Sequence, residues 1–166
     1  YVVLGYKTPP RDNKLSYALD IIKAVLGRGQ SGKIFYEIRT KRGLAYEVGV
    51  QHEAATDYGF FAVYLSTHKK NIKTVVEIIL EELQKLKNLT LKELGEAKEY
   101  IEGNFYLSNE DTYQMADTLG SWALIGNAHY MEKYIKKIKA ISIKDIREVV
   151  DRYFTKNYAL AVIQQK

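Results

Sequence analysis

The chain has no cysteine, only two prolines in 166 residues, and no apolar run long enough to cross a bilayer. Without cysteine there can be no disulfide, thiolate zinc site or thiol nucleophile. A reducing cytoplasm suits such a composition and is the compartment expected for it. Paired histidines are missing too. His52, His68 and His129 are scattered, none has a partner at i+4, and neither the direct nor the inverted zinc helix motif occurs. His52-Glu53 opens like such a motif, but no second histidine follows at i+4. Histidines placed like these, at strand ends and helix starts, are expected as polar surface. No Gly-x-Ser-x-Gly elbow surrounds any serine. The carboxylate pairs Glu81-Glu82 and Glu110-Asp111 are expected at exposed helical positions. The charge excess is small, a net +5, and its one local cluster, Lys133, Lys136, Lys137 and Lys139, reads as the wet side of a helix. Neither nucleic acid nor a membrane is therefore expected as a partner.

What is present is periodicity. Tyr1–Tyr6 reads as a strand ended by Pro9-Pro10. Asn13 reads as the N-cap of a helix with apolar positions Leu15, Ala18, Leu19, Ile22, Val25 and Leu26, stopped at Gly27. A glycine-rich turn leads to a short helix over about 31–41. A hairpin follows, with strands at 44–50 and 60–66. Alternation places Leu44, Tyr46, Val48 and Val50 on one face. From 72 onward the pattern is helical. Ile72, Val75, Val76, Ile79, Leu80, Leu83 and Leu86 form one stripe, and Thr90-Leu91-Lys92-Glu93 is a capping box. Further helices are expected over 111–124 and 129–139 and after Ser142, with a closing strand at 158–163. Strands at both ends and in one hairpin, with helices between, predict an α+β fold: a mainly antiparallel sheet with helices packed on one face. No linker or repeat interrupts it, so residues 1–166 are expected to form a single domain.

Two stretches invite a chemical reading. Gly27-Arg28-Gly29-Gln30-Ser31-Gly32-Lys33 has the spacing of a dinucleotide fingerprint and, up to its lysine, of a phosphate loop. A nucleotide-binding module using Gly27–Lys33 is thus one alternative. It lacks a preceding strand, and Ile34 stands where a magnesium hydroxyl is needed, so a helix C-cap and a tight turn explain the glycines better. The second stretch runs from Ile34 to Val48. Arg39 falls near the end of a helical element and Tyr46 near the start of a strand, which can bring a permanent cation and a phenol hydroxyl together. Such a donor pair suits a peptide carbonyl or an oxyanion, and neither group holds a hydrolytic metal. A structural arginine at a helix end and a tyrosine packed on a sheet is the plainer alternative. Trp122 is expected in the core, and the tyrosines at 100, 106, 113, 130 and 134 in the core or at its rim.

Leu26–Phe35 followed by Ile38-Arg39-Thr40-Lys41-Arg42-Gly43-Leu44-Ala45-Tyr46 resembles the signature of the second homologous domain of pitrilysin/insulinase-type zinc metallopeptidases. These are the inverzincins, with processing-peptidase-like relatives. The likeness extends over nearly the whole chain, through Val2–Tyr6, Thr112, Ala116, Leu119 and Gly120, and Tyr158–Ile163. It departs from the pattern at Arg28, Gly32 and Lys33, in the loop. The resemblance implies a two-domain clamshell. A preceding homologous domain, or a partner chain, carries the zinc and its inverted His-x-x-Glu-His helix. The second domain lacks metal ligands and offers Arg39 and Tyr46 to the backbone of a peptide or protein substrate. It also implies that this chain alone holds no cofactor, and that the chain is part of a longer polypeptide, since it opens on Tyr1 rather than methionine, or meets a partner. A homo-oligomer is compatible with it. A non-catalytic structural or regulatory subunit of the same family is the other alternative.

Overall fold

The protein is described by a computed structural model covering residues 1–164; residues 165 and 166, the end of the expected domain span, lie outside the described residues. Alternating side chains along Val2–Thr8 form strand β1, with Val2, Leu4 and Tyr6 buried on one side. Helix α1 (Lys14–Gly27) begins where the Asn13 side chain accepts from the Leu15 N–H at 2.9 Å. A short helix α2 (Lys33–Phe35) continues into a π-helical turn (Tyr36–Thr40), and a hairpin of β2 (Ala45–Ala54) and β3 (Gly59–Thr67) follows. Then come α3 (Ile72–Lys85), α4 (Leu91–Ser108), α5 (Thr112–Ile125), α6 (Tyr130–Lys139), α7 (Ile143–Tyr153) and β4 (Ala159–Val162). The caps read from sequence are in place. Thr90 and Glu93 close a capping box on α4, and Ser142 and Asp145 close one on α7.

The four strands form an antiparallel sheet in the order β2-β3-β1-β4. One face carries Val2, Leu4, Tyr6, Phe61, Val63 and Leu65 and is covered by helices; the other leaves Val3 and Tyr64 exposed. Ala18, Leu19, Ile22 and Leu26 of α1 form the centre of the core, completed by Val75, Ile79 and Leu83 of α3 and Ile146 and Val149 of α7. Phe154, just past α7, packs its ring 5.1 Å from Phe61 and 5.2 Å from Tyr6. The α+β architecture expected from the element order is the one observed.

Local differences from the sequence reading have physical causes. The helical stretch expected over 31–41 is broken: a 3-10 turn (Gly29–Ser31) precedes α2, and the π turn ends at Thr40. Strand β2 runs four residues beyond the expected 50. Glu82 is not exposed; it is buried in α3, where Lys85 Nζ donates to it at 2.8 Å. Trp122 is buried as expected, whereas Tyr100, Tyr106, Tyr113 and Tyr130 are exposed. The glycine-rich turn is built for packing. A Cβ on Gly27 would meet Val50 Cβ at 2.8 Å, and one on Gly32 would meet the Leu26 carbonyl oxygen at 2.5 Å. Gly29 has φ +50° with open space around it. The cations of the turn are already paired, Arg28 with Glu96 at 2.8 Å and Lys33 with Glu93 at 2.6 Å.

Gly32→Ala is therefore expected to cost about 2–3 kcal/mol, since backbone must shift to admit the methyl group. Gly29→Ala should cost only about 1 kcal/mol for its left-handed backbone. Urea unfolding of both variants measures the difference, and a neutral Gly32→Ala would show that packing does not require this glycine.

Candidate functional site

Ile38 is fully buried and anchors the π turn, and the next residue, Arg39, is half-buried at its edge. The turn is one residue wider than an α-helical one, with the Lys41 N–H donating to the Tyr36 carbonyl at 2.8 Å. Gly43, at φ +59°, then reverses the chain. Its N–H donates to the Arg39 carbonyl at 3.0 Å, and the Leu44 N–H to the Ile38 carbonyl at 2.9 Å. Strand β2 starts two residues later and runs back past the helix end.

The first residues of β2 are irregular. Ala45 pairs with Thr67 and Val48 with Leu65, so two residues of β2, Tyr46 and Glu47, stand opposite one of β3. This is a β-bulge. It corrects the expected alternation of Leu44, Tyr46, Val48 and Val50 on one face. Ala45 is the buried residue, Val48 and Val50 pack against the core, and Tyr46 is swung outward to 81% exposure. There the Arg39 guanidinium lies 4.5 Å from the Tyr46 ring centroid and 4.9 Å from that of Phe35. The structure thus brings the two expected site residues together, through stacking rather than through a hydrogen bond.

Electrostatics leave this cation available. The nearest acid in sequence, Glu37, is held by Arg42 and by Lys41 at 3.0 Å, and these hydrogen bonds, that from Arg42 first, lower its pKa. Arg39 itself makes no ion pair or side-chain hydrogen bond among the described residues. Its guanidinium and the Tyr46 phenol line a concavity of about 590 Å³ with Ser66, Thr67 and His68. Thr67 Oγ1 donates to the Leu44 carbonyl at 2.5 Å and fixes the strand start. The sequence reading did not place residues 66–68 here. The hairpin signal could have: a short turn at 55–58 sets a register that carries the end of β3 back beside Tyr46. Chemically the concavity offers a planar fork of N–H donors and a phenol hydroxyl, a set that binds a carbonyl, carboxylate or oxyanion.

A second polar cluster lies beneath the sheet's far end, and it corrects the expectation that the histidines are surface groups. His52 is buried, with Nδ1 2.7 Å from Asp20 Oδ1. Arg11 Nη1 donates to Asp20 Oδ2 at 2.6 Å, and the Tyr134 hydroxyl donates to the same oxygen at 3.1 Å. With Asp20 ionised, the His52 proton sits on Nδ1, and the buried Nε2 has no partner. Burial pushes the Asp20 carboxyl up, but the hydrogen bond from His52 and the Arg11 guanidinium outweigh it and hold the pKa at about 2. Burial first, and then the Asp20 charge, pushes Tyr134 well above the ordinary phenol value. This cluster is not a metal centre. His129 pairs with Glu132, His68 stands apart, and among the described residues no three His, Asp or Glu side chains come together to hold an ion. The described residues therefore do not offer a set that fits a zinc ion.

The depressed Asp20 pKa has a definite sign for stability. A carboxyl lowered on folding stabilises the protein above its unfolded value and loses that contribution as the pH falls through its folded value. From 3.8 to about 2, the difference is worth roughly 2 kcal/mol. Urea unfolding should show stability falling between about pH 4 and pH 2, and Asp20→Asn should be less stable at pH 7 but flatter across that window. An unchanged acid limb in Asp20→Asn would remove Asp20 as its source.

Comparison with known proteins places the fold. The family model described as the peptidase M16 inactive domain matches residues 1–101. An uncharacterized zinc protease of Bacillus subtilis, YmxG, is 30% identical over 98% of this chain, which spans 41% of the relative. An uncharacterized zinc protease of Streptomyces coelicolor is 29% identical over 98% of the chain, which spans 36% of it. Among solved structures, a protease from Helicobacter pylori matches with a TM-score of 0.84 and 23% identity over 96% of this chain and 39% of its own. A peptidase M16 inactive domain from Pseudomonas fluorescens matches with a TM-score of 0.75 and 22% identity over 99% of this chain and 42% of its own. At these identities the structures establish the fold alone, and the chain spans about two-fifths of the length of the sequence relatives. With more than half its length matched by the family model, on a fold shared with these proteins, the chain belongs to the peptidase M16 inactive-domain family.

Proposed function

We propose that residues 1–166 act as one substrate-binding domain of a zinc-dependent endopeptidase, in which Arg39 and Tyr46 contact the backbone of a peptide or protein substrate. The zinc belongs to a homologous N-terminal domain or partner subunit, since the described residues of this chain offer no set that fits it. The observation that carries the proposal is the half-buried guanidinium of Arg39 stacked 4.5 Å from the exposed phenol ring of Tyr46. Among the described residues that guanidinium has no carboxylate partner, since Arg42 and Lys41 occupy Glu37. The zinc-protease names of the sequence relatives support the reading. A cation that served only stability would be expected to find an acid. One that must meet a carbonyl and then the oxyanion formed from it keeps its donors open. Tyr46 adds a neutral donor, and the stacked ring limits the motion of the guanidinium before substrate arrives. A cysteine-free chain suits a reducing cytoplasm, the compartment proposed for it.

In the full-length enzyme, Arg39→Ala should lower turnover of a peptide by about 10²–10³, or roughly 2.7–4 kcal/mol, as for loss of one oxyanion donor. Its contacts here are two aromatic rings, so thermal stability should fall by no more than about 1 kcal/mol. Arg39→Lys should recover only part of the rate, because lysine lacks the planar fork. Tyr46→Phe should give a smaller loss, since it keeps the ring and removes one donor. Full activity with a sharp fall in melting temperature would make the pair structural. A full-length protein with no peptidase activity at all would favour the structural or regulatory subunit instead.

The chain by itself is expected to retain no stoichiometric zinc. Metal analysis after dialysis against a weak chelator checks this, and one tightly held zinc per chain would contradict the division of roles proposed here.

A further inference from the structure

Helix α5 turns Met115, Trp122 and Ile125 into the protein and leaves the opposite side bare. That side carries Tyr113, Ala116, Asp117, Gly120, Ala123 and Leu124, all exposed. A surface helix ordinarily puts its charges there. Here Tyr113 and Leu124 are 74% and 82% exposed, and Asp117 is the one charged residue of the helix. The end of α4 repeats the pattern with exposed Tyr106 and Leu107. Large apolar side chains left exposed together on adjoining helices mark an interaction surface. Glycine tells the same story. Gly103 in α4 and Gly120 in α5 have nothing within 4 Å of where a Cβ would stand. Glycine weakens a helix relative to alanine, and the packing of this chain gives no reason for either. Close approach of another backbone would give one.

Charge identifies what approaches. Residues 99–132 contain six acidic side chains and no lysine or arginine, in a chain whose net charge is +5. Glu102 and Glu132 are paired with Lys139 and His129, whereas Glu110 and Asp117 make no ion pair among the described residues. A second copy seated face to face would set like charges against each other, which an interface avoids. We propose that the outward face of α5, with the adjoining end of α4, docks a basic amphipathic helix of a partner polypeptide. Its apolar stripe covers Tyr113 and Leu124 over the gap left by Gly120, and its lysine or arginine side chains meet Asp117 and Glu110. The i, i+4, i+7, i+11 spacing of Tyr113, Asp117, Gly120 and Leu124 suits a helix lying alongside. The inference does not rest on the Arg39–Tyr46 reading.

The test uses three labelled synthetic peptides of about 18 residues, five helical turns. One has leucine on one face and lysine on the other, the second has glutamate in place of lysine, and the third is a scrambled lysine peptide with no apolar face. Fluorescence anisotropy with the purified chain should show the amphipathic lysine peptide binding at least about tenfold more tightly than either control, and losing affinity with salt. Asp117→Lys and Leu124→Gln should each weaken that binding by about tenfold, while Leu91→Gln, equally exposed at the start of α4, should not. Gly120→Ala should raise the melting temperature, and Gly120→Leu should abolish binding with an unchanged circular dichroism spectrum. Equal binding of the three peptides, or indifference to Asp117→Lys and Leu124→Gln, would overturn the proposal. So would a concentration-dependent dimer that Leu124→Gln dissolves, which would assign the face to a second copy.

Discussion

Asp20 accepts hydrogen bonds from Arg11, His52 and Tyr134 at once, and so ties the segment after β1, helix α1, strand β2 and helix α6 to one buried carboxylate. Removing Arg11 would leave the Asp20 charge in low dielectric without its ion-pair partner, which is costlier than the mean worth of a hydrogen bond. The arrangement holds β2 against α1 near one end. Gly27 does the same further along, where only a hydrogen fits against Val50. With those two points fixed, the start of β2 has little freedom relative to the helix end that carries Arg39. The precision of the surface site thus derives from a polar cluster and a glycine contact that take no part in its chemistry.

The site itself is held differently. Arg39 rests on two aromatic rings, and its acidic neighbour is occupied by other cations. Stacking orients a guanidinium without consuming its N–H donors, whereas an ion pair would consume them. The contrast with Arg11, whose guanidinium is committed to Asp20, shows both uses of arginine in one chain. A donor set with no base and no metal can bind and polarise a carbonyl but cannot activate water. In the function proposed for it, hydrolysis is therefore left to another domain. The unusual charge distribution fits a domain that works in company, for the chain concentrates its exposed apolar side chains where it has no basic ones.

Much of this was legible in the sequence because it depends on neighbours along the chain. Asn13, Thr90 and Ser142 act as caps within a few residues of themselves, and the stripe from Ile72 to Leu86 needs only helical period. The Gly43 reversal between Arg39 and Tyr46 is likewise local, so the meeting of those two residues could be foreseen. His52 could not be read correctly. Its burial depends on Asp20, 32 residues away, and nothing in the strand pattern around it reports an acid on a distant helix.

The sequence by itself determined the element types, the α+β order, the caps, the absence of a metal-ligand motif and the closeness of Arg39 to Tyr46. Each follows from periodicity, residue chemistry or a connection a few residues long. Only the tertiary structure decided that Tyr46 faces outward rather than into the core. Alternation alone puts it on the side of Val48 and Val50, and one extra residue in the pairing of β2 with β3 reverses it. A bulge is a property of two strands in register, set by how Ala45 and Val48 fit against Thr67 and Leu65, and no single strand encodes it.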